Sequence, residues 1–252
     1  MAKPVLGVQL YTVREALAAD FVGTVKKVRE IGYDAVELCG KGPMSNAELK
    51  KFLDGLGLRS AGVHVPINEL ENNLDDWINF AIEVKVPNLV LPYLPEERRN
   101  TRDDWVAVAK VMDQIGAKCR KRGVKFAYHN HSFEFVQFDG KYALDILYEN
   151  CSPQNVLCEL DTYWIKHGGA DPVTYIKKYG KRCAVLHVKD MAADEARSFA
   201  EIGRGILEWP AIHKAAQAGG VQWYCVEQDR CAGDPFDSIR ISAEFLRKRL
   251  GI

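Results

Sequence analysis

One local pattern recurs along the chain and constrains its fold more than any other feature. A charged stretch with helical periodicity ends near a glycine, and an apolar run rich in β-branched or aromatic residues follows within a few residues. The glycine suits the left-handed residue that closes a helix, and the short apolar run is typical of a strand buried on both faces. The pattern is found at Val28–Glu37, Leu53–His64, Cys119–His129, Lys178–His187 and Ala216–Glu227. Alternating helices and strands of this kind predict βαβ units and a parallel sheet.

Eight runs qualify as strands when the whole chain is searched. They lie near residues 5–10, 34–38, 59–64, 88–93, 124–129, 155–161, 183–188 and 221–227. Amphipathic stretches lie between them, including residues 21–31, 47–56, 104–122 and 236–250. Eight strand–helix units without a linker-like segment favour a single (β/α)₈ TIM barrel, one domain over residues 1–252, rather than an open doubly wound sheet. No glycine-rich phosphate loop follows a strand, which disfavours a nucleotide-binding fold.

Composition excludes several classes of protein. Lys plus Arg and Asp plus Glu both number 34, so the formal net charge is zero and a general nucleic-acid or anionic-membrane binder is not expected. The seven cysteines are scattered and form no Cys-x-x-Cys pair, which favours a reducing compartment over a disulfide framework. The chain has no apolar run of membrane-spanning length and no signal-peptide pattern at its N-terminus, so we expect a cytoplasmic protein.

Polar residues stand at the carboxyl ends of most predicted strands, where barrels of this type carry their active sites. The residues that end a strand or follow one closely are Glu37, His64, His129, Asn130, His131, Glu134, Asp161, His187, Lys189, Asp190, Glu227 and Asp229. Any one of them could be a structural polar residue. Their coincidence on the neighbouring strands 5 to 8 would bring carboxylates and an imidazole to one point. Such a ligand set suits one divalent metal ion: Mn²⁺, Zn²⁺, Mg²⁺ or Co²⁺.

Side-chain alternation along each strand refines this interpretation. Residues two apart share a face, which pairs His129 with His131, Glu159 with Asp161, and His187 with Lys189. The member of each pair nearer the carboxyl end is better placed to reach the site. Glu159 would therefore lie one layer deeper, as the structural partner of a cation or a backbone donor inside the barrel.

Aromatic and basic residues just past the strand ends are candidates for binding a sugar. Tyr11 and Arg14 follow strand 1, and Trp164 follows strand 6. Sugars present apolar ring faces on which aromatic side chains pack, although each of these residues could equally pack beneath a loop.

Several segments match those of a known superfamily in the expected order. They are Gly7–Arg14, Tyr128–Phe135, Leu160–Thr162, His187–Asp190, Gly203–Gly205, Glu208–Trp209 and Val226–Glu227. Through them, essentially the whole chain resembles the xylose-isomerase-like TIM-barrel sugar-phosphate isomerase/epimerase superfamily. The resemblance implies one divalent metal ion, bound by Glu, Asp, His and Glu from strands 5 to 8.

Three of these metal ligands carry over directly, as Asp161, His187 and Glu227. Strand 5 departs from the pattern, because ketose 3-epimerases carry a Glu within the strand where this chain has Tyr128 or His129. We assign Glu134 as the fourth ligand, with His129 or His131 as its substitute.

The leading hypothesis is a metal-dependent isomerase or epimerase that acts on a ketose or keto-sugar. Glu227 would remove a proton alpha to the carbonyl, with Glu134 as its partner across the substrate. Lys189 or His64 would stabilise the oxygens of the resulting enediolate. The expected substrate-binding residues are Tyr11, Arg14, His129, Trp164 and Arg204.

Two other functions stay open. A dehydratase or lyase of a keto-inositol or 3-keto-glycoside would use the same metal site, with His131 as a general acid, and would expel a leaving group from the enediolate. A sugar- or metal-binding barrel without turnover is the third possibility. The superfamily's three-zinc DNA-repair endonuclease carries a His where this chain has Trp164, which disfavours a nuclease. We therefore expect a small carbohydrate as partner, and a homo-oligomer is compatible with the sequence.

Overall fold

The eight apolar runs form eight parallel strands that hydrogen-bond in a closed ring. In the computed structural model, which describes residues 3–252, they are β1 Val5–Gln9, β2 Ala35–Leu38, β3 Arg59–His64, β4 Asn88–Leu91, β5 Lys125–His129, β6 Leu157–Asp161, β7 Cys183–Val188 and β8 Trp223–Val226. Each strand pairs with its neighbours in sequence, and β8 pairs with β1. This confirms the predicted (β/α)₈ barrel. Met1 and Ala2, with which the predicted domain range begins, lie outside the described residues.

Helices surround the ring. They are α1 Arg14–Ala19, α2 Phe21–Ile31, α3 Asn46–Gly55, α4 Ile67–Asn72, α5 Leu74–Val84, α6 Arg102–Lys121, α7 Ala143–Glu149, α8 Thr162–His167, α9 Pro172–Tyr179, α10 Trp209–Gly219 and α11 Pro235–Leu250. Capping boxes fix two of the starts, because Ser45 and Thr101 each exchange hydrogen bonds with the acidic residue three positions later. No helix within residues 3–252 combines the length and the apolar composition needed to cross a membrane.

The predicted strand limits agree with the observed ones to within two residues. The largest difference at a strand end is at β4, which was predicted to reach residue 93 and ends at Leu91. Pro92 follows, and a proline has no N–H to donate to the next strand.

The glycines that follow the helical stretches mostly have the predicted left-handed backbone. Positive φ angles are found at Gly32, Gly57, Gly123 and Gly220. The prediction is wrong at Gly180, which has φ −55°. That glycine serves close packing instead, since a Cβ there would lie 3.1 Å from Gly219 Cα at the contact between α9 and α10.

The barrel interior has an apolar floor and a polar layer above it. Ala61, Val185 and Cys225 form a small apolar cluster that is separate from the main core. One step further along β7 and β8, on the same faces, come His187 and Glu227. The polar side chains of the barrel therefore converge near the carboxyl ends of the strands.

The segment after β7 is held beside the barrel mouth by a single buried carboxylate. Asp190 accepts hydrogen bonds from the backbone N–H groups of Gly203 and Leu207, at 2.9 and 3.1 Å, and from Trp209 Nε1 at 2.6 Å. A two-stranded ribbon pairs Asp190–Met191 with Phe199–Ala200. These bonds fix Phe199 at the edge of the cavity described next.

Candidate active site

A cavity of about 1,100 Å³ opens at the carboxyl ends of the strands. Seven of the residues predicted for the site line it: Tyr11, Arg14, His64, His129, His131, Trp164 and Glu227. The other lining residues include Lys41, Glu69, Trp77, Tyr93, Phe199, Asp229 and Arg230. The cavity is therefore aromatic on its walls, while acidic and imidazole groups lie at its base.

Four buried side chains at the base form a group that could hold a metal ion. His129, Asp161, His187 and Glu227 each offer one ligand atom, and these atoms all lie within 4.8 Å of one another. Among residues 3–252, Asp161 Oδ2 and His129 Nδ1 are buried atoms without a hydrogen-bond partner. Two imidazoles and two carboxylates match the ligands that Zn²⁺, Mn²⁺ and Co²⁺ take in proteins, so the group fits a divalent ion.

Glu134, the predicted fourth ligand, lies outside this group. Its carboxylate accepts hydrogen bonds from the Tyr128 hydroxyl, at 2.6 Å, and from the backbone N–H of His131, at 2.9 Å. The chain leaves β5 after His129 and makes a short 3₁₀ turn over Phe133–Phe135, which directs the carboxylate away from the cavity. His129, named as the substitute, takes the fourth place in the group.

A buried ammonium group lies beside the metal group. Lys189 Nζ is 2.9 Å from Glu227 Oε2, 2.9 Å from Asp229 Oδ1 and 3.3 Å from Asp161 Oδ2. Burial by itself would lower the pKa of Lys189, but the three carboxylates outweigh it and raise this pKa well above its ordinary value. Lys189 therefore stays positively charged directly beside Glu227, which lines the cavity.

A second cluster lies one layer deeper and shares two histidines with the first. Glu159 Oε1 is 2.8 Å from His64 Nε2, 3.0 Å from His187 Nε2 and 3.2 Å from His129 Nδ1. These four residues form another group with ligand atoms close together. Although burial opposes it, the charges of His187 and His64 hold the pKa of Glu159 well below its ordinary value. The neighbours of Glu159 in this layer are imidazoles, as expected of a buried carboxylate paired with cationic groups, and the group it forms with them could itself hold an ion.

Of three other residues predicted for the site, His131 and Arg14 line the cavity and Arg204 does not. His131 stacks on Phe133, with ring centroids 5.5 Å apart, and burial lowers its pKa well below the ordinary value, which keeps the ring neutral. Arg14 lies over the Tyr11 ring, 4.4 Å from its centroid, at the cavity edge. Arg204 does not line the cavity: its side chain is 61% exposed and pairs with Glu201, in a loop where Gly203 and Gly205 bond to Asp190.

Sequence reasoning missed part of the cavity wall. Trp77 lies on α5, where an aromatic residue at helical spacing looks like any core residue. Lys41 lies over its ring, with Nζ 4.6 Å from the centroid, and comes from the loop after β2. Phe199 comes from the ribbon after β7, and its sequence context carries no signal for the cavity.

Comparison with known proteins settles the family. A family model described as the xylose isomerase-like TIM barrel matches residues 25–249. The chain belongs to this family. Its match to an inosose dehydratase from Lacticaseibacillus casei is 27% identical and covers 92% of this chain and 90% of that protein. A second inosose dehydratase, from Clostridium beijerinckii, is 22% identical over the same shares of the two chains.

Solved structures with the same fold superpose over nearly the whole chain. A sugar phosphate isomerase/epimerase from Parabacteroides distasonis is 25% identical, with a TM-score of 0.84 over 99% of this chain and 95% of that one. The IOLI protein, whose crystal structure contains a bound zinc atom, has a TM-score of 0.77 at 15% identity and covers 96% of each chain. At that identity the likeness is one of fold.

Removal of His187 tests the metal group directly. We expect His187→Ala to lose stoichiometric Zn²⁺ or Mn²⁺, because the change deletes an imidazole that both clusters share. Metal content measured by inductively coupled plasma mass spectrometry after dialysis checks this. His213→Ala is the matched control, since His213 bonds the Tyr224 hydroxyl and belongs to neither group. Full metal content in a folded His187→Ala protein would rule out the group as the site.

Burial of Glu134 predicts a pH dependence of stability. Burial raises its pKa from about 4.5 to about 7, so the folded protein binds a proton that the unfolded chain releases. The stabilisation is present below pH 4.5 and is lost as the pH rises to about 7. Between these values, the free energy of unfolding of the metal-free protein should fall by roughly 3 kcal/mol more than that of Glu134→Gln. Urea unfolding at several pH values measures it, and parallel profiles for the two proteins would contradict the assignment.

Proposed function

We propose that the protein is a metal-dependent dehydratase or lyase that abstracts a proton alpha to the carbonyl of a keto-inositol or keto-sugar. The observation that carries the proposal is the buried Lys189 ammonium beside the metal group, with one carboxylate, Glu227, reaching both the group and the cavity. A preorganised positive charge in a site shielded from water stabilises the negative charge that develops on an enediolate oxygen.

The metal would be held by the four residues His129, Asp161, His187 and Glu227. A divalent ion bound there would act as a Lewis acid towards the substrate's oxygens. Lys189 would hold the enediolate oxygen by a charge-assisted hydrogen bond. The aromatic rings of Trp164 and Phe199, which lie 5.5 and 5.4 Å from Lys189 Nζ, would exclude water around it.

Glu227 is the group we propose to carry the proton. Despite burial, Lys189 and His187 hold the pKa of Glu227 well below its ordinary value, so the carboxylate is ionised and has capacity for a proton. The same low pKa makes the protonated form a good donor. Glu227 would therefore take the proton from the alpha carbon, the bond from the beta carbon to the leaving oxygen would break, and the leaving hydroxyl would depart with that proton as water.

The position of Glu134 favours elimination over epimerisation. Epimerisation returns a proton to the opposite face of the enediolate, for which Glu134 was the expected partner. Its carboxylate is bonded to Tyr128 and His131 behind the cavity wall. Elimination on one face needs a single proton carrier. The inosose dehydratases to which the chain is 20–27% identical support the same reaction class.

A sugar isomerase or epimerase is the second candidate. The 25% identity to a sugar phosphate isomerase/epimerase over 99% of the chain supports it. In that case His131, which lines the cavity, would have to supply or remove the second proton in place of Glu134.

The two candidates give different products in heavy water. Protein loaded with Mn²⁺ would be incubated in D₂O with an inosose, a free ketose and a 3-keto-glycoside, and the products read by NMR and mass spectrometry. We expect loss of water or of an alcohol, and no reaction with Glu227→Gln. Deuterium on the alpha carbon of an otherwise intact sugar would instead identify an isomerase or epimerase. Neither exchange nor elimination with any substrate would contradict both candidates.

Replacement of Lys189 separates stabilisation of the enediolate from metal binding. We expect Lys189→Met to lower kcat by about 10²- to 10³-fold, the usual effect of losing one preorganised electrostatic contact, while the protein keeps its metal. Steady-state kinetics and metal analysis check both parts. Lys178→Met is the control, because Lys178 pairs with Asp145 on the outer helices and does not line the cavity. An unchanged kcat in Lys189→Met would remove Lys189 from the reaction.

A further inference from the structure

A carboxylate from another strand of the barrel contacts Nε2 of His187, the ring nitrogen opposite the metal group. Glu37 lies on β2 and His187 on β7, and both side chains are completely buried. Glu37 Oε2 is 2.5 Å from His187 Nε2, the shortest contact that either carboxylate of the deeper layer makes with this ring.

The two ring nitrogens of His187 face different surroundings. Nδ1 lies 3.0 Å from Glu227 Oε2 and 4.0 Å from Asp161 Oδ2, on the side of the metal group. Nε2 lies on the side of Glu37 and Glu159. A neutral imidazole carries one hydrogen, and a metal requires the nitrogen without it. A hydrogen on Nε2, donated to a carboxylate, leaves the Nδ1 lone pair free.

We propose that Glu37 is a positioning residue that fixes the ring orientation and the Nε2–H tautomer of His187, so that Nδ1 is presented to the metal. The inference rests on the proposed metal site and adds to it a residue that touches neither metal nor substrate. Ligating histidines in metalloproteins commonly donate their other nitrogen to a carboxylate in this way.

The backbone of the neighbouring strand leaves room for the Glu37 carboxylate at Gly62. A Cβ on residue 62 would lie 2.6 Å from Glu37 Oε1, so the space is open because β3 carries Gly62 there. The register between β2 and β3 shifts between Val36 and Glu37, beside the same glycine. Gln9 Nε2 donates a hydrogen bond of 3.0 Å to Glu37 Oε2, which holds the carboxylate in place.

Glu159 is less suited to the same task. Its Oε1 is 3.0 Å from His187 Nε2 but also lies within 3.2 Å of nitrogens of His64 and His129. Because this one oxygen is shared by three imidazoles, it does not determine the ring orientation of His187 alone. Glu37 Oε2 has His187 and the Gln9 amide as its close partners, and His64 Nε2 is 3.5 Å away.

Zinc affinity and histidine NMR together test the inference. We expect Glu37→Met, which has no strong acceptor, to bind Zn²⁺ about 10- to 100-fold more weakly than the wild type, by competition with a chromogenic chelator. Glu37→Gln keeps an acceptor oxygen and should lose less. In the zinc-loaded protein labelled with ¹⁵N-histidine, we expect His187 to be protonated at Nε2 in the wild type and to lose this defined state in Glu37→Met.

Gly62→Ala provides a second test without changing a polar group. The added methyl must displace the Glu37 carboxylate, so zinc affinity should fall although residue 62 contacts neither His187 nor the metal group. Asp145→Asn is the matched control, because Asp145 is a buried carboxylate that bonds Tyr175 and Tyr179, outside the barrel interior. It should change stability without changing zinc affinity.

The outcomes separate this inference from the proposed function. A wild-type protein that binds no Zn²⁺ would overturn the metal site and, with it, the role of Glu37. Normal zinc binding with an unchanged His187 signal in Glu37→Met and Gly62→Ala would overturn the positioning role alone. If Glu37→Met does not fold, Gly62→Ala and Glu37→Gln still decide between these results.

Discussion

The compensation of buried charge inside the barrel is the constraint on which the rest of the site depends. Glu37, Glu159, Asp161 and Glu227 carry their carboxylates into a buried layer, and Lys189 and the imidazoles lie among them. A buried charge without a partner costs several kcal/mol, so the carboxylates and cations of this layer stabilise one another. The strands must therefore meet in the observed register, because a slip of one residue would turn His187 and Lys189 towards the helices.

The same contacts fix the charge states of the groups in this layer. Lys189 keeps its proton because carboxylates surround it, and Glu227 stays ionised because Lys189 and His187 are beside it. Groups held at fixed positions in a site of low polarity need no rearrangement when charge develops on a substrate. The ion pairs that stabilise the buried charges thus also hold Lys189 and Glu227 in fixed positions and charge states.

The sequence predicts the barrel well because strand periodicity and helix alternation are local signals. It also places His187, Asp161 and Glu227 together, since residues at the carboxyl ends of neighbouring parallel strands must meet. The sequence does not predict side-chain positions correctly where the chain has left the strands. Glu134 lies in a 3₁₀ turn and Arg204 in a loop clamped by Asp190, and strand alternation says nothing about where such side chains point. Glu37 was visible as a strand-end residue, but its partnership across the barrel depends on the space at Gly62.

A histidine rather than a carboxylate at position 129, at the end of β5, is consistent with the negative charge of Glu37 and Glu159 in the layer beneath it. The superfamily pattern that the sequence resembles places a carboxylate at this position, whereas here His129 joins the group and contacts Glu159. A third carboxylate at the upper level would lie above two buried ones, Glu37 and Glu159, with Lys189 as the one ammonium nearby. A neutral ring avoids that repulsion. An ion bound by this group would have two nitrogen ligands, which suit Zn²⁺ or Co²⁺ better than Mg²⁺.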